Sequence, residues 1–271
     1  MLILLPPSEG KSAPTRGRPL ALEALSFPEL TETREAVLDA LGVLCGTHHD
    51  PATPTQNEVL VEFAQRSLGL GPTQSEDVRR NAHLRTAATA RADAIYTGVL
   101  YDNLDLASLD PAARRRASRW LAITSSLFGL VRPGDRIPSY RLAGGVNLPG
   151  LGVVSTRWRE VLEPIVESAA GRGLVVDLRS TTYAAFWRPG PDLAARVATV
   201  RVLQQVGSQR KVVSHFNKAT KGRLVRALLE AGAAPGTPGD LADVITGLGW
   251  KVELAEPSRS GQGLDVIVED L

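Results

Sequence analysis

The sequence predicts a mixed α/β (α+β) fold: a single compact domain with a mixed sheet and flanking helices. Three observations predict it. Residues 1 to 5 form an uninterrupted apolar run stopped by Pro6 and Pro7, the pattern of a short buried strand. Strand-like and helix-like stretches then alternate along the chain, as layered α/β architectures require. Near the C-terminus, ITGLGWKVELAEPSRSGQGLDVIVEDL reads as two strands joined by a polar Ser/Gly turn, which adds an antiparallel pair.

The elements follow in order. Helical period runs from Pro28 to about Leu44, with Val37, Leu38 and Leu41 on one side and Thr31 as N-cap. A polar loop covers 46–55. A second helix is expected over 56–68, ending at Leu68-Gly69-Leu70-Gly71-Pro72, and a third from Ser75 to about Ala90. Together, 56–91 form a helical hairpin excursion. Ala94 to Thr97 is expected to end a buried strand, with a turn at Gly98. RRRASRW closes a basic helix, and LAITSSLFGLVRP is a strand entering a loop. In the second half, 156–170 is helical, GLVVDLRS a strand and 191–206 helical. KVVSHF enters a strand, and the helix after it runs from about Lys218 to Ala231.

Composition narrows the functional classes. The chain has 271 residues, enough for one large core, and no internal repeat of fixed period. One cysteine excludes a disulfide scaffold and a four-cysteine zinc site, and the four histidines are dispersed without an HExxH. No metal or other cofactor is expected. Net charge is +2, from 31 Lys+Arg and 29 Asp+Glu, too weak by itself to establish a nucleic-acid partner. No apolar run approaches the length of a membrane span, so no membrane partner is expected and the cytosol is the expected compartment.

The loop after the first strand, PPSEGK, lacks the first glycine of a P-loop, and no GxGxxG follows the strand. Ser8, Glu9 and Lys11 either line a cleft beyond a strand end or form a solvated loop. The densest signal is ITSSLFGLVRPGDRIPSYRL, where Pro and Gly fix a loop carrying Arg132, Asp135, Arg136, Tyr140 and Arg141. Arginine grips phosphate or carboxylate in a fork and tyrosine stacks on bases, so Arg132, Arg136, Tyr140 and Arg141 are anion-binding candidates. The bland alternative pairs an arginine with Asp135 as a loop brace.

In VVSHFNKATKGRLVRALL, helical period puts Lys218 and Lys221 above an apolar stripe, either at a cleft mouth or snorkelling to water. Asp177, Ser180 and Tyr183 in VVDLRSTTYAAFW follow another strand and are weak catalytic candidates with Ser8 and Glu9; the alternative is turn hydrogen bonding. Tyr96, Thr97 and Asp102 are weaker still. Cys45 reads as a buried small hydrophobe. The basic cluster Arg114, Arg115, Arg116 and Arg119 reads as a solvated helix face. In a helix-hairpin-helix, turn amides and nearby arginines such as Arg79, Arg80, Arg85 and Arg91 hold a backbone phosphate, although Pro72 removes one donor.

MLILLPPSEGK, YTGVLYD, LFGLVRPGDRIPSYRL, VVDLRSTTY, VVSHFNKATKGRLVR and ITGLGW, in that order, resemble the peroxide-stress YaaA family (DUF328/UPF0246) along nearly the whole chain. The resemblance implies one YaaA-like domain over 1–271 with a positively charged cleft and a helix-hairpin-helix-like element. It further implies a cytosolic protein that binds double-stranded DNA, protects it and helps to limit intracellular iron. Carried onto this chain, the cleft residues are Lys11, Arg132, Arg136, Tyr140, Arg141, Lys218 and Lys221. The competing reading is an enzyme acting on a nucleobase, nucleotide or other small anionic substrate in the same cleft. Oligomeric state is not legible.

Overall fold

Main-sheet strands, in chain order, are β1 (Leu2–Leu5), β2 (Leu121–Ser125), β3 (Gly129–Val131), β4 (Val175–Asp177), β5 (Val197–Val206), β6 (Gln209–Lys211), β7 (Lys251–Leu254) and β8 (Gln262–Glu269). The computed structural model describes residues 1–46, 54–206, 209–211 and 214–269. Across the sheet the order is β7-β8-β5-β4-β1-β2-β3, with β6 paired to the far end of β5. The β8, β5, β4, β1 and β2 strands run parallel, whereas β7 and β3 close the two sides antiparallel. Parallel strands are covered on both faces and therefore read as continuous apolar runs. Every residue of β1 and β2 is accordingly buried.

The longer helices are α1 (Thr31–Gly46), α2 (Pro54–Leu68), α3 (Ser75–Ala82), α4 (Val99–Leu104), α5 (Pro111–Trp120), α6 (Val154–Ala170), α7 (Ser214–Ala231) and α8 (Pro238–Gly247). They flank the sheet, and the sequence-predicted mixed α/β class is the observed one. Helices α4 and α7 approach closely because Gly222 carries no side chain. A Cβ there would lie 2.3 Å from the Leu100 carbonyl oxygen and 3.0 Å from the Leu104 nitrogen.

Several elements differ from the expectation. The stretch 191–206 contains only a short helical turn (Pro191–Ala194) before strand β5. Its Leu193, Val197 and Val200 keep a helical spacing, but β5 lies between β4 and β8, and ladder pairing decides. The predicted strand at 94–97 is a helical turn (Ala92–Ile95), started by Ala92 and Asp93 amides donating to the carbonyls of Asp135 and Pro133. Helix α3 stops at Ala82 rather than near Ala90, because Thr89 is drawn off to the Arg18 carbonyl through both its amide and its hydroxyl.

Thr31 has helical backbone angles and continues a 3-10 turn (Pro28–Leu30), so it is no N-cap. Helix α8 was not expected, and it absorbs the ITG expected to begin the C-terminal strands; Thr237 and Asp240 cap it reciprocally. Most of the 46–55 loop, with His48 and His49, lies outside the described residues, as do Val212, Val213 and the side chain of His215.

Candidate functional site

Because β1, β2 and β4 are adjacent and parallel, their C-terminal ends open on one edge of the sheet, where ligands of α/β proteins collect. The 8–11 loop leaves β1 there. Ser8 Oγ accepts from the Thr97 amide at 3.1 Å and donates to the Gly10 carbonyl. Lys11 pairs with Tyr96 as an isolated antiparallel bridge, and the Ser12 amide donates to the Ile95 carbonyl at 2.9 Å. Ser8 is thus spent on fixing the loop.

Lys11 is placed by that loop over aromatic rings. Its Nζ lies 4.2 Å from the centre of the Tyr140 ring and 5.6 Å from that of Tyr96, and donates to the Ser8 carbonyl at 2.9 Å. Beneath it, the Tyr140 hydroxyl is 3.0 Å from the Tyr96 hydroxyl and 2.8 Å from Ser125 Oγ at the end of β2. Tyr101 stacks on Tyr96 and donates to the Pro6 carbonyl at 2.7 Å. Tyr183 packs on Phe186 and interacts electrostatically with Tyr140. All four tyrosines of the chain therefore gather at this edge, and burial raises the pKa of each. Burial also pulls the Lys11 ammonium down to about 8, against the carboxylates of Glu9 and Asp77.

A cavity of about 280 Å³ adjoins Lys11, lined also by Glu9, Asp77, Arg80, Tyr140 and Arg141. Arg141 meets the Glu9 carboxylate at 2.6 Å, and Arg80 meets Asp77 at 2.7 Å. Asn81 docks α3 on this region: its side chain donates to the Arg141 carbonyl at 2.7 Å and accepts from the Arg141 amide at 2.9 Å. The helical hairpin is thereby one wall of the site.

A second buried cluster lies one strand away. Arg179 forks Asp177 at 2.9 and 2.8 Å and also donates to the carbonyls of Tyr183 and Trp187. Burial would raise the Asp177 pKa, but the Arg179 charge and hydrogen bonds overturn that and leave it below the ordinary value. Lys221, 7% exposed, donates to the Leu178 carbonyl at 2.9 Å, and burial lowers it to about 8 against the Asp177 charge. Asp177 and Lys221 thus brace the end of β4.

The structure brings together Glu9, Lys11, Tyr140, Arg141 and Tyr183, but not every expected residue. Arg132 follows β3 back to the opposite end of the sheet, where it donates to the carbonyls of Arg119 and Leu121 at 2.7 and 2.8 Å and covers Phe27. Arg136 donates to the Thr89 carbonyl at 2.6 Å. Both are braces. Ser180 is exposed at the start of a helical turn and makes no capping bond, and Lys218 is exposed on α7. Asp102 accepts from the Gly98 amide. Arg114 and Arg116 are also braces rather than a free basic face, donating to the carbonyls of Ala107, Leu109, Leu229 and Glu230.

The α2–α3 turn has its glycine in the left-handed region, at Gly69 with φ +67°. Its amides are already engaged: Gly69, Leu70 and Gly71 donate to Arg66, Gln65 and the Gln74 side chain. The nearby arginines are paired as well: Arg79 with Glu76, Arg80 with Asp77, Arg85 with Asp39 and Arg91 with Asp93.

Sequence reasoning missed Gln74, Asp77 and Ser125 as site residues. The three-residue spacing of Gln74, Asp77 and Arg80 puts them on one helical face and was the available signal.

The fold and its strand-end site define a mixed α/β protein with a polar, tyrosine-floored pocket at the carboxyl edge of a largely parallel sheet. The chain belongs to the family described as peroxide stress protein YaaA, whose profile matches residues 1–255. It is 51% identical over the full length of both chains to a UPF0246 protein of Streptomyces coelicolor. A UPF0246 protein of Corynebacterium efficiens is 43% identical over 94% of this chain and 96% of its own, and one of Corynebacterium glutamicum is 37% identical over 93% and 95%.

Proposed function

We propose that this protein serves the peroxide-stress response by binding double-stranded DNA through side chains around the strand-end pocket, and so protects it. One observation carries the reading: Lys11, Arg80 and Arg141, from three remote stretches of chain, line a single concavity. Lysine and arginine meeting phosphate give affinity without base preference. The engaged amides of the α2–α3 turn favour side chains over a backbone cradle for that contact. Limiting intracellular iron and a cytosolic location belong to the same proposal. No helix among the described residues is long and apolar enough to cross a membrane.

Fluorescence anisotropy with a short labelled duplex, titrated at several salt concentrations, tests this. The expected result is micromolar or tighter affinity that falls steeply with salt as condensed counterions are released. Absence of binding near physiological salt overturns it. Total cell iron in a deletion strain under peroxide tests the second part.

A second reading has its own support. Glu9 and Asp77 stand beside the three cations, and a mixed-charge concavity of this size suits a nucleobase, nucleotide or other small anionic substrate of an enzyme. Thermal stabilisation by mononucleotides but not by duplex DNA favours that reading.

A further inference from the structure

Five lysines occur in the chain, and Lys11 is both sequestered and at a cavity. Lys211, Lys218 and Lys251 are exposed. Lys221 is buried with its Nζ on the Leu178 carbonyl. Lys11 lines the cavity of about 280 Å³ on a loop held at both ends, by the Ser8–Thr97 contact and by the bridge to Tyr96. Its amine is positioned over Tyr140 before any ligand arrives. A positioned, partly desolvated amine at a cavity is the structural requirement for covalent chemistry on a carbonyl.

We propose that Lys11 is an imine-forming lysine that condenses with an aldehyde bearing a phosphate group. Arg80 and Arg141, fixed by Asp77 and Glu9, hold the phosphate, for which guanidinium geometry is suited. The neutral amine adds its lone pair to the carbonyl carbon. Both amine hydrogens then leave with the carbonyl oxygen as one water molecule, and a carbon–nitrogen double bond remains. The Glu9 and Asp77 carboxylates line the same cavity and relay those protons. The lowered basicity of Lys11, at about 8, supplies neutral amine near pH 7.5.

This inference rests on the pocket being the anion site proposed above. Two sources carry the required chemistry: a ring-opened abasic deoxyribose within DNA, and free 2-deoxyribose 5-phosphate.

The test incubates the full chain with sodium cyanoborohydride and, in separate arms, a duplex containing one abasic site or free 2-deoxyribose 5-phosphate. Hydride adds to the imine carbon and a proton to nitrogen, so the adduct has the mass of the aldehyde less one oxygen atom. Peptide mapping is expected to place it on Lys11, at least roughly tenfold above any exposed lysine, because a pKa near 8 gives on the order of a hundredfold more neutral amine than an ordinary lysine. Yield is expected to rise as pH passes through about 8.

Adduct in only one arm identifies the source. Adduct with the free sugar phosphate by a protein that does not bind duplex sustains the imine while the DNA reading fails. Duplex binding by anisotropy with no Lys11 adduct in either arm overturns the imine and leaves the DNA reading standing. Equal labelling of Lys221 also overturns it, since lowered basicity away from Arg80 and Arg141 would then suffice.

Discussion

Lys221 Nζ donates to the carbonyl of Leu178 at 2.9 Å, tying helix α7 to the loop that leaves β4 beside Asp177. Burial makes this lysine resist protonation, against the pull of the Asp177 charge. Lys11 and Lys221 are both lowered to about 8, so above that pH the unfolded chain binds more protons than the native one and stability rises with pH. Cys45 works in the opposite direction. Burial pushes its thiol up to about 12, so its unfolded form ionises first and stability falls above about pH 8.5. Between about pH 8 and 9 the two lysines outweigh the thiol, and the net rise is at most about 1.4 kcal/mol per pH unit; by about pH 9.5 the four buried tyrosines, whose unfolded forms ionise near 10, cancel it. Urea denaturation across this range is expected to show the rise, to flatten in Lys221→Met and to steepen in Cys45→Ala.

Cys45 is 1% exposed, and its raised pKa keeps it as thiol at neutral pH. The thiolate is the reactive form. Iodoacetamide is expected to label Cys45 at pH 7.5 only when denaturant opens the protein, with folded protein reacting at least tenfold more slowly. Rapid labelling of folded protein would contradict the burial argument.

Gly222→Ala gives the helix a better helix former, worth about 1 kcal/mol on an exposed face. Here the added carbon meets the Leu100 carbonyl at 2.3 Å, so α4 and α7 must separate. Overpacking of this kind costs about 1–3 kcal/mol and reverses the sign. A lower thermal midpoint is expected; a higher one would contradict the close approach.

Arg132 and Arg141 belong to one loop but are expected to respond differently. Arg132→Ala removes two carbonyl contacts and the cover on Phe27, lowering stability by about 1–3 kcal/mol with the DNA salt slope unchanged. Arg141→Ala is expected to lower that slope by about one, as loss of one phosphate contact does. Equal slopes for the two variants would contradict this division.

Much of the scaffold was legible where local pattern and tertiary environment agree. LILL before Pro6 and Pro7 is β1 because an apolar run suits the middle of a parallel sheet. The segment 191–206 failed for the reverse reason. Flanked by β4 and β8, β5 lacks a clean two-residue alternation, and Leu193, Val197 and Val200 mimic a helical stripe. Thr237 and Asp240 carried a readable capping box that points to α8.

At the site, Lys11, Tyr140 and Arg141 were readable from loop composition, yet what unites them was not. The Tyr96–Tyr140 contact joins positions 44 apart, and the Asn81–Arg141 pair joins positions 60 apart. The same distance effect separates Arg132 from Tyr140: the intervening chain pairs with 90–91 and carries them to opposite ends of the sheet.

The register of β1 has a further consequence, for the order in which the protein is made. Leu2–Leu5 takes its hydrogen bonds from 121–125 on one side and 175–177 on the other. During translation these four apolar residues emerge well before both neighbours and wait for them. At ordinary ribosome speeds that interval is on the order of ten seconds or more. For that time the future centre of the sheet is an unpaired, sticky segment, so the newborn chain depends on shielding, by its own helices α1 to α3 or by a chaperone, before the sheet can close.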